Sequence, residues 1–237
     1  MEYFYAQDNL SLGQMAARWV ARELLACPDL VLGLPTGSTP IEMYQYLARL
    51  VQEGLISFTQ ARTFNLDEYV GLTVDHPQSY AFFMHEHFWS KVDMPKGNAD
   101  IPRGDVSNLA AECHRYDDAI QRAGGIGLQI LGLGFNGHIG FNEPSHNMEI
   151  HTHVVDLSVA TIQANTRFFP NSDAVPRQAI TMGVGNIMQA QKILLMVSGE
   201  RKRDILTKTL YGPVSTEVPS SVLQLHADLT VITDIKL

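Results

Sequence analysis

The sequence is short of cysteine, of positive charge and of long apolar runs, and each shortage closes off a class of protein. Its two cysteines, Cys27 and Cys113, have no pairing or metal-type spacing around them, so they read as reduced thiols rather than a disulfide framework or a metal site. Seventeen Lys and Arg stand against 25 Asp and Glu, a formal net charge of −8 at pH 7. Binding to a phosphate backbone or an anionic membrane needs a basic surface, so nucleic-acid and membrane partners are not expected. An anionic ligand must be met by a few local positive groups. No apolar stretch approaches the roughly 20 residues that span a bilayer. Met1 to Asn9 lacks a basic start followed by an apolar run, so no secretory signal is expected and the chain is placed in the cytoplasm. Repeats, low-complexity runs and linker-like stretches are missing as well. The 237 residues, 45% of them apolar, suffice for one domain with a sizeable core.

What is present is an alternation of apolar strands and amphipathic helices. Ser11 to Ala26 carries Leu12, Met15, Ala16, Trp19, Val20 and Leu24 at helical spacing, and Leu30 to Leu34 follows as a buried strand. After a turn at Pro35 to Thr39, Ile41, Tyr44, Leu47, Ala48 and Val51 mark a second helix face. Thr63 to Leu66 reads as a strand end and Ser79 to Trp89 as an aromatic-rich helix. Leu109 to Ala123 is a helix closed by Gly124 and Gly125, and Leu128 to Leu133 is a strand. Ser158 to Phe168 is helical in pattern, Ile193 to Val197 a strand, Arg201 to Tyr211 a helix and Thr230 to Thr233 a last strand. This order predicts an α/β fold: a Rossmann-like, doubly wound, mostly parallel sheet with helices on both faces and a ligand crevice at the carboxyl ends of the strands. The segment Asn142 to Phe169, polar and with one helical stretch, is the candidate for a mobile flap.

Chemistry-bearing residues collect where strands end. In Leu34-Pro35-Thr36-Gly37-Ser38-Thr39-Pro40, a turn leads into a helix whose first N–H groups and dipole favour an anion. Gly37 permits close backbone approach, while Thr36, Ser38 and Thr39 offer hydroxyls and Pro40 suits the first turn. The bland alternative is a capped turn in which Ser38 or Thr39 is only the N-cap. Asp67-Glu68 follows the next strand. One of these carboxylates is expected in the crevice with a perturbed pKa, able to act as a general base; a solvated acidic turn is the alternative. Gly132 to Pro144 places His138, which exchanges a proton near neutrality, between Asn136 and Glu143. Arg167 and Lys202 are candidate anion clamps in a net-negative chain. By composition alone each is a surface charge.

Taken together, LGLPTGSTP at 32–40, FNLDEYVGL at 64–72, GFNGHIGFNEP at 134–144, NTRFF at 165–169 and TMGVGNIM at 181–188 resemble the glucosamine-6-phosphate deaminases, over nearly the whole chain. The resemblance implies conversion of glucosamine 6-phosphate and water to fructose 6-phosphate and ammonia in amino-sugar catabolism, by an α/β fold shared with sugar-phosphate isomerases and lactonases. It implies that Asp67 is the base at C2, that His138 opens the ring, and that Glu143 and Asn136 support the histidine. It implies a 6-phosphate bound by the turn around Gly37 to Thr39, by Lys202, and by Arg167 on a closing flap. No metal or organic cofactor is required by that route, and the sequence shows no metal-ligand cluster.

Two features depart from the family pattern. Some relatives have Asp where Asn136 stands, leaving Glu143 as the anionic support for His138. Relatives regulated by an amino-sugar phosphate carry basic residues where this chain has His151-Thr152-His153-Val154-Val155-Asp156, so a non-allosteric type is expected. The longer C-terminal extension of those forms is also missing, and monomer and homo-oligomer both stay open. The enzymatic rival, 6-phosphogluconolactonase, would have Arg where Tyr69 stands and a Thr-Ala-Ser-like run in place of Ile139-Gly140-Phe141. A non-catalytic sugar-phosphate sensor would bring a basic DNA-binding segment, for which an acidic chain with its first strand near Leu30 has no room.

Overall fold

The structure is a computed structural model that describes residues 1–166, 169 and 171–237, with Ala160, Ala164 and Ser172 described by their backbone alone. Its strands are β1 (Glu2–Tyr5), β2 (Val31–Leu34), β3 (Arg62–Asn65), β4 (Asp67–Tyr69), β5 (Ala99–Asp100), β6 (Leu128–Gly132), β7 (His153–Asp156), β8 (Gln178–Thr181), β9 (Lys192–Val197) and β10 (Leu229–Thr233). The α-helices are α1 (Asn9–Ala26), α2 (Ile41–Gln52), α3 (Tyr80–His87), α4 (Leu109–Arg122), α5 (Val159–Asn165), α6 (Val184–Met188) and α7 (Arg203–Tyr211).

Among the described residues a seven-stranded sheet runs β1-β10-β9-β6-β2-β3-β5, with every pairing parallel. Buried parallel strands need apolar side chains on both faces, and β9 shows the division. Leu194 and Met196 pack with α1 and α2, whereas Ile193, Leu195 and Val197 pack with Tyr116 and Ile120 of α4 and Leu206 of α7. The mostly parallel, doubly wound sheet with helices on both faces is therefore as the sequence indicates. Chain order reverses between β2 and β6: the chain goes from β2 outward through β3 to β5, then returns on the other side of β2 as β6. Ligands of open α/β sheets bind outside the carboxyl ends of the strands at such a switch point, where this chain has the turn at 35–40 and the loop after Gly132.

Several sequence expectations need correction. Helix α1 begins at Asn9 rather than Ser11, because the Asp8 carboxylate accepts the Ser11 N–H at 2.7 Å and caps the helix two residues earlier. Helix α3 stops at His87, since Phe88 takes φ −141° and ψ −64°, and a 3-10 turn covers Trp89–Lys91. Arg201 lies in a 3-10 turn, Glu200–Lys202, ahead of α7. The pattern for 158–168 yields α5 over Val159–Asn165, and Phe168 lies outside the described residues.

Strand and helix also do not alternate throughout. A second, three-stranded antiparallel sheet, β4-β8-β7, sits after β3 and leaves no mark on the pattern, because none of its strands holds more than two apolar residues in a row. Consequently the segment 142–169 contains β7 as well as α5. The edge strand β1 was missed too: all four of its residues are exposed and carry no burial signal.

Candidate active site

Four loops leave carboxyl ends of neighbouring parallel strands, and backbone contacts knit them together. Leu34 and Asn65 are paired at the ends of β2 and β3, and the Leu66 N–H donates to the Leu34 carbonyl at 3.1 Å. Gly132 is paired with Met196, so the loops after β6 and β9 are adjacent as well. The buried Tyr44 hydroxyl donates to the Pro35 carbonyl at 2.5 Å and pins the first turn to α2.

That first turn is open. Gly37 has φ +103°, a left-handed conformation that other residues adopt only with strain, and a side chain there would meet nothing within 4 Å. Helix α2 starts after Pro40, which occupies the cap position itself, and no side chain caps it. Neither Ser38 nor Thr39 is its N-cap, so the capped-turn alternative falls. The helix presents its first N–H groups toward a turn that also bears Thr36, Ser38 and Thr39.

Asp67 is not in a solvated acidic turn. It opens β4, is paired with Thr181 of β8, and is only 6% exposed. Burial raises its carboxyl to about 8, with the Glu68 charge adding to the effect, and among the described residues no hydrogen bond offsets it. Glu68, 3% exposed, is used differently. Its carboxylate accepts the N–H groups of Tyr69, Tyr80 and Ala81 at 2.8 to 2.9 Å and closes the start of α3. Burial pushes it up to about 7 against those three donors. One carboxylate thus serves the fold, and the other is buried without a donor among the described residues, which raises its proton affinity.

The His138 loop is folded onto this carboxylate. At Gly140, with φ +58°, an added Cβ would lie 2.8 Å from the Thr181 hydroxyl and 3.5 Å from Asp67 Oδ2. The Thr181 hydroxyl in turn accepts the Phe141 N–H at 3.0 Å, and the Asn142 amide donates to the Ile139 and Met182 carbonyls at 2.9 and 2.8 Å. Gly134 lies flat beneath the imidazole, where a Cβ would overlap His138 Nε2. Burial holds the imidazole below its ordinary pKa; the Glu143 charge opposes this and Lys202 reinforces it. His138 is therefore neutral near pH 7 and able to accept a proton.

The support of His138 differs in detail from the expected arrangement of an amide and a carboxylate on the ring. The Asn136 side-chain oxygen accepts the His138 backbone N–H at 3.2 Å, and its amide donates to Glu143 at 3.4 Å. Nδ1 of His138 finds no hydrogen-bond partner among the described residues, so Glu143 acts on the ring through its charge. The other Glu143 oxygen accepts the Thr161 hydroxyl of α5.

Lys202 reaches across the rim, donating to the Leu133 carbonyl at 2.5 Å, with Nζ 5.4 Å from the ring centre of Phe135. Burial lowers its pKa, with Asp234 opposing. Arg167 lies outside the described residues. Sequence reasoning missed Thr161, Thr181 and Gly134. Thr161 stands three residues after the capping Ser158, and Gly134 and Thr181 open the 134–144 and 181–188 motifs, but the pattern attaches no role to them. Among the described residues no group of three or more His, Cys, Asp or Glu side chains is arranged to hold a metal ion.

The chain is similar to known proteins over nearly its whole length. A glucosamine-6-phosphate deaminase of Thermoanaerobacter pseudethanolicus is 49% identical over 223 residues, covering 94% of this chain and 88% of the relative. A solved monomeric glucosamine-6-phosphate deaminase superposes with a TM-score of 0.95 at 44% identity, covering 98% of this chain and 97% of that one. The 6-phosphogluconolactonase of Thermotoga maritima shares the fold alone, with a TM-score of 0.76 at 20% identity and 99% of each chain covered. The family model described as glucosamine-6-phosphate isomerases/6-phosphogluconolactonase matches residues 7–232, and the chain belongs to that family.

Proposed function

We propose that the protein is a glucosamine-6-phosphate deaminase, converting glucosamine 6-phosphate and water to fructose 6-phosphate and ammonia. The observation that carries the reading is the Asp67 carboxylate, buried without a donor among the described residues and facing Gly140 of the His138 loop, on the strand end next to the open turn at Gly37. A lactonase needs no base of this kind over a carbon acid, and Tyr69 and Ile139-Gly140-Phe141 stand where the lactonase pattern differs.

The substrate phosphate docks at the N-terminus of α2, against Thr36, Gly37, Ser38 and Thr39, with the Lys202 ammonium alongside and Arg167 brought in by the 142–169 segment acting as a flap. Neutral His138 takes the proton of the C1 hydroxyl and returns it to the ring oxygen, opening the ring. The C1 aldehyde acidifies the C2 proton. Asp67 removes it while O1 takes a proton released by the substrate ammonium, giving an enol-amine, and Asp67 then delivers the C2 proton to C1. The product is an imine at C2. Water adds to it and ammonia leaves, which balances the reaction. Asp67 must be ionised for the first transfer, and the ammonium form of the substrate amine nearby favours that ionisation.

A sugar-phosphate substrate fits a single-domain cytoplasmic enzyme with neither nucleic-acid nor membrane partners. Among the described residues no helix is long and apolar enough to cross a membrane. Ammonia release from glucosamine 6-phosphate, measured beside hydrolysis of 6-phosphogluconolactone, tests the reading: release of ammonia with no lactone hydrolysis is expected, and the reverse result rejects it.

A further inference from the structure

We infer that Thr161 is a positioning residue for the proton transfer at His138, acting through Glu143 and making that transfer depend on where α5 sits. The inference rests on the deaminase reading, since it concerns the histidine that opens the ring.

Glu143 is held from two sides. Asn136, on its own loop, donates to Oε2 at 3.4 Å, a long and weak contact. The Thr161 hydroxyl donates to Oε1, and a hydrogen bond to a carboxylate is of the stronger, charge-assisted kind. Thr161 itself is placed with little freedom. It is 8% exposed, its N–H donates to the Ser158 hydroxyl at 3.2 Å, and that hydroxyl donates back to Thr161 Oγ1 at 3.1 Å. The donor aimed at Glu143 is thus fixed to the first turn of α5, and Ile162 beside it is buried against Tyr69, Phe141 and Leu157.

The consequence follows from what His138 lacks. Its ring has no hydrogen-bond partner at Nδ1 among the described residues, so the charge of Glu143 is what favours the imidazolium formed when His138 takes the C1 hydroxyl proton. A carboxylate free to rotate toward solvent would spend part of its time out of range. Because Coulomb energy at short range in a poorly solvated site changes steeply with distance, the Thr161 bond keeps that attraction in place. Helix α5 lies within the 142–169 segment proposed to close over the phosphate. Binding at the phosphate end and ring opening at the other end therefore share one structural element.

Two substitutions separate this role from simple packing. Thr161→Val keeps the volume and the methyl group but removes the donor, whereas Thr161→Ser keeps the donor and removes the methyl. The expected result for Thr161→Val is a fall in kcat of about 10- to 100-fold, the range of a lost hydrogen bond to a charged group. Affinity for a ring-opened hexitol 6-phosphate analogue, which needs no ring opening, stays within about twofold of wild type. Thr161→Ser restores kcat to within about threefold of wild type. The inference is overturned if Thr161→Val retains kcat, if Thr161→Ser is the more damaged of the two, or if analogue affinity falls in step with kcat. If wild type releases no ammonia from glucosamine 6-phosphate, the underlying activity is at fault rather than the role of Thr161.

Discussion

Replacing Asp67 by Asn removes an ionisable oxygen from a buried position and reports on the same burial in two ways. The ordinary carboxyl value is 3.8, and the folded value is raised to about 8, first by desolvation and then by the Glu68 charge. A folded-state value above the unfolded one means that the fold holds the proton more tightly. The stabilisation this brings is complete below pH 3.8 and is lost as pH rises through 8. At pH 7 the unfolded chain has released a proton that the folded chain still keeps. At 1.36 kcal/mol per unit, this disfavours the folded wild type by roughly 4 kcal/mol relative to strongly acidic conditions. Asparagine does not titrate. The stability advantage of Asp67→Asn over wild type should therefore grow with pH, by about 3 kcal/mol between pH 5 and pH 7.5, as measured by urea denaturation at both values. In the same variant, exchange of the C2 proton with solvent falls by roughly 100-fold or more while affinity for a phosphorylated sugar analogue is kept. A stability difference that is flat or shrinks with pH would refute the buried carboxyl with its raised pKa. Wild-type exchange in the variant would refute its role as the base.

The remaining predictions concern separate parts of the rim. In wild type kcat/KM should rise with pH up to about 8, the folded value of the free-enzyme base, with the rise in kcat lying at lower pH because the substrate ammonium favours the carboxylate; superimposable profiles would contradict this. Lys202→Ala should raise KM for the phosphorylated sugar by about tenfold or more, and an unchanged KM would make the lysine a prop for the Leu133 carbonyl only. Gly134→Ala drives a methyl into His138 Nε2 and must displace the ring, so kcat should drop by roughly 100-fold with folding intact by circular dichroism; full activity would show that ring placement is not critical. Adding N-acetylglucosamine 6-phosphate should leave the velocity curve unshifted, since His151 to Asp156 supplies no Lys or Arg; strong activation would reveal a regulatory site elsewhere.

Residue pattern alone determined a good deal of this protein. Runs such as Val31–Leu34 and Lys192–Val197 are apolar on both faces because both faces are covered, and between them α1, α2, α4 and α7 carry one apolar side each, which dictates a doubly wound sheet. The pattern also put Asp67, His138, Lys202 and the Gly37 turn after strand ends, on one rim. Periodicity reports how each element is buried, so it reaches that far and no farther. The division of labour between Asp67 and Glu68 was out of reach, because it depends on Tyr80 and Ala81, twelve and thirteen residues beyond Glu68, turning their N–H groups toward one carboxylate and not the other. The small sheet that sets Asp67 against Thr181, and the hydroxyl that α5 brings to Glu143, were hidden for the same reason. Strands with at most two apolar residues in a row and single long-range hydrogen bonds leave no repeat along the chain, and their partners become neighbours only once strand order and helix packing have brought distant loops to one edge of the sheet.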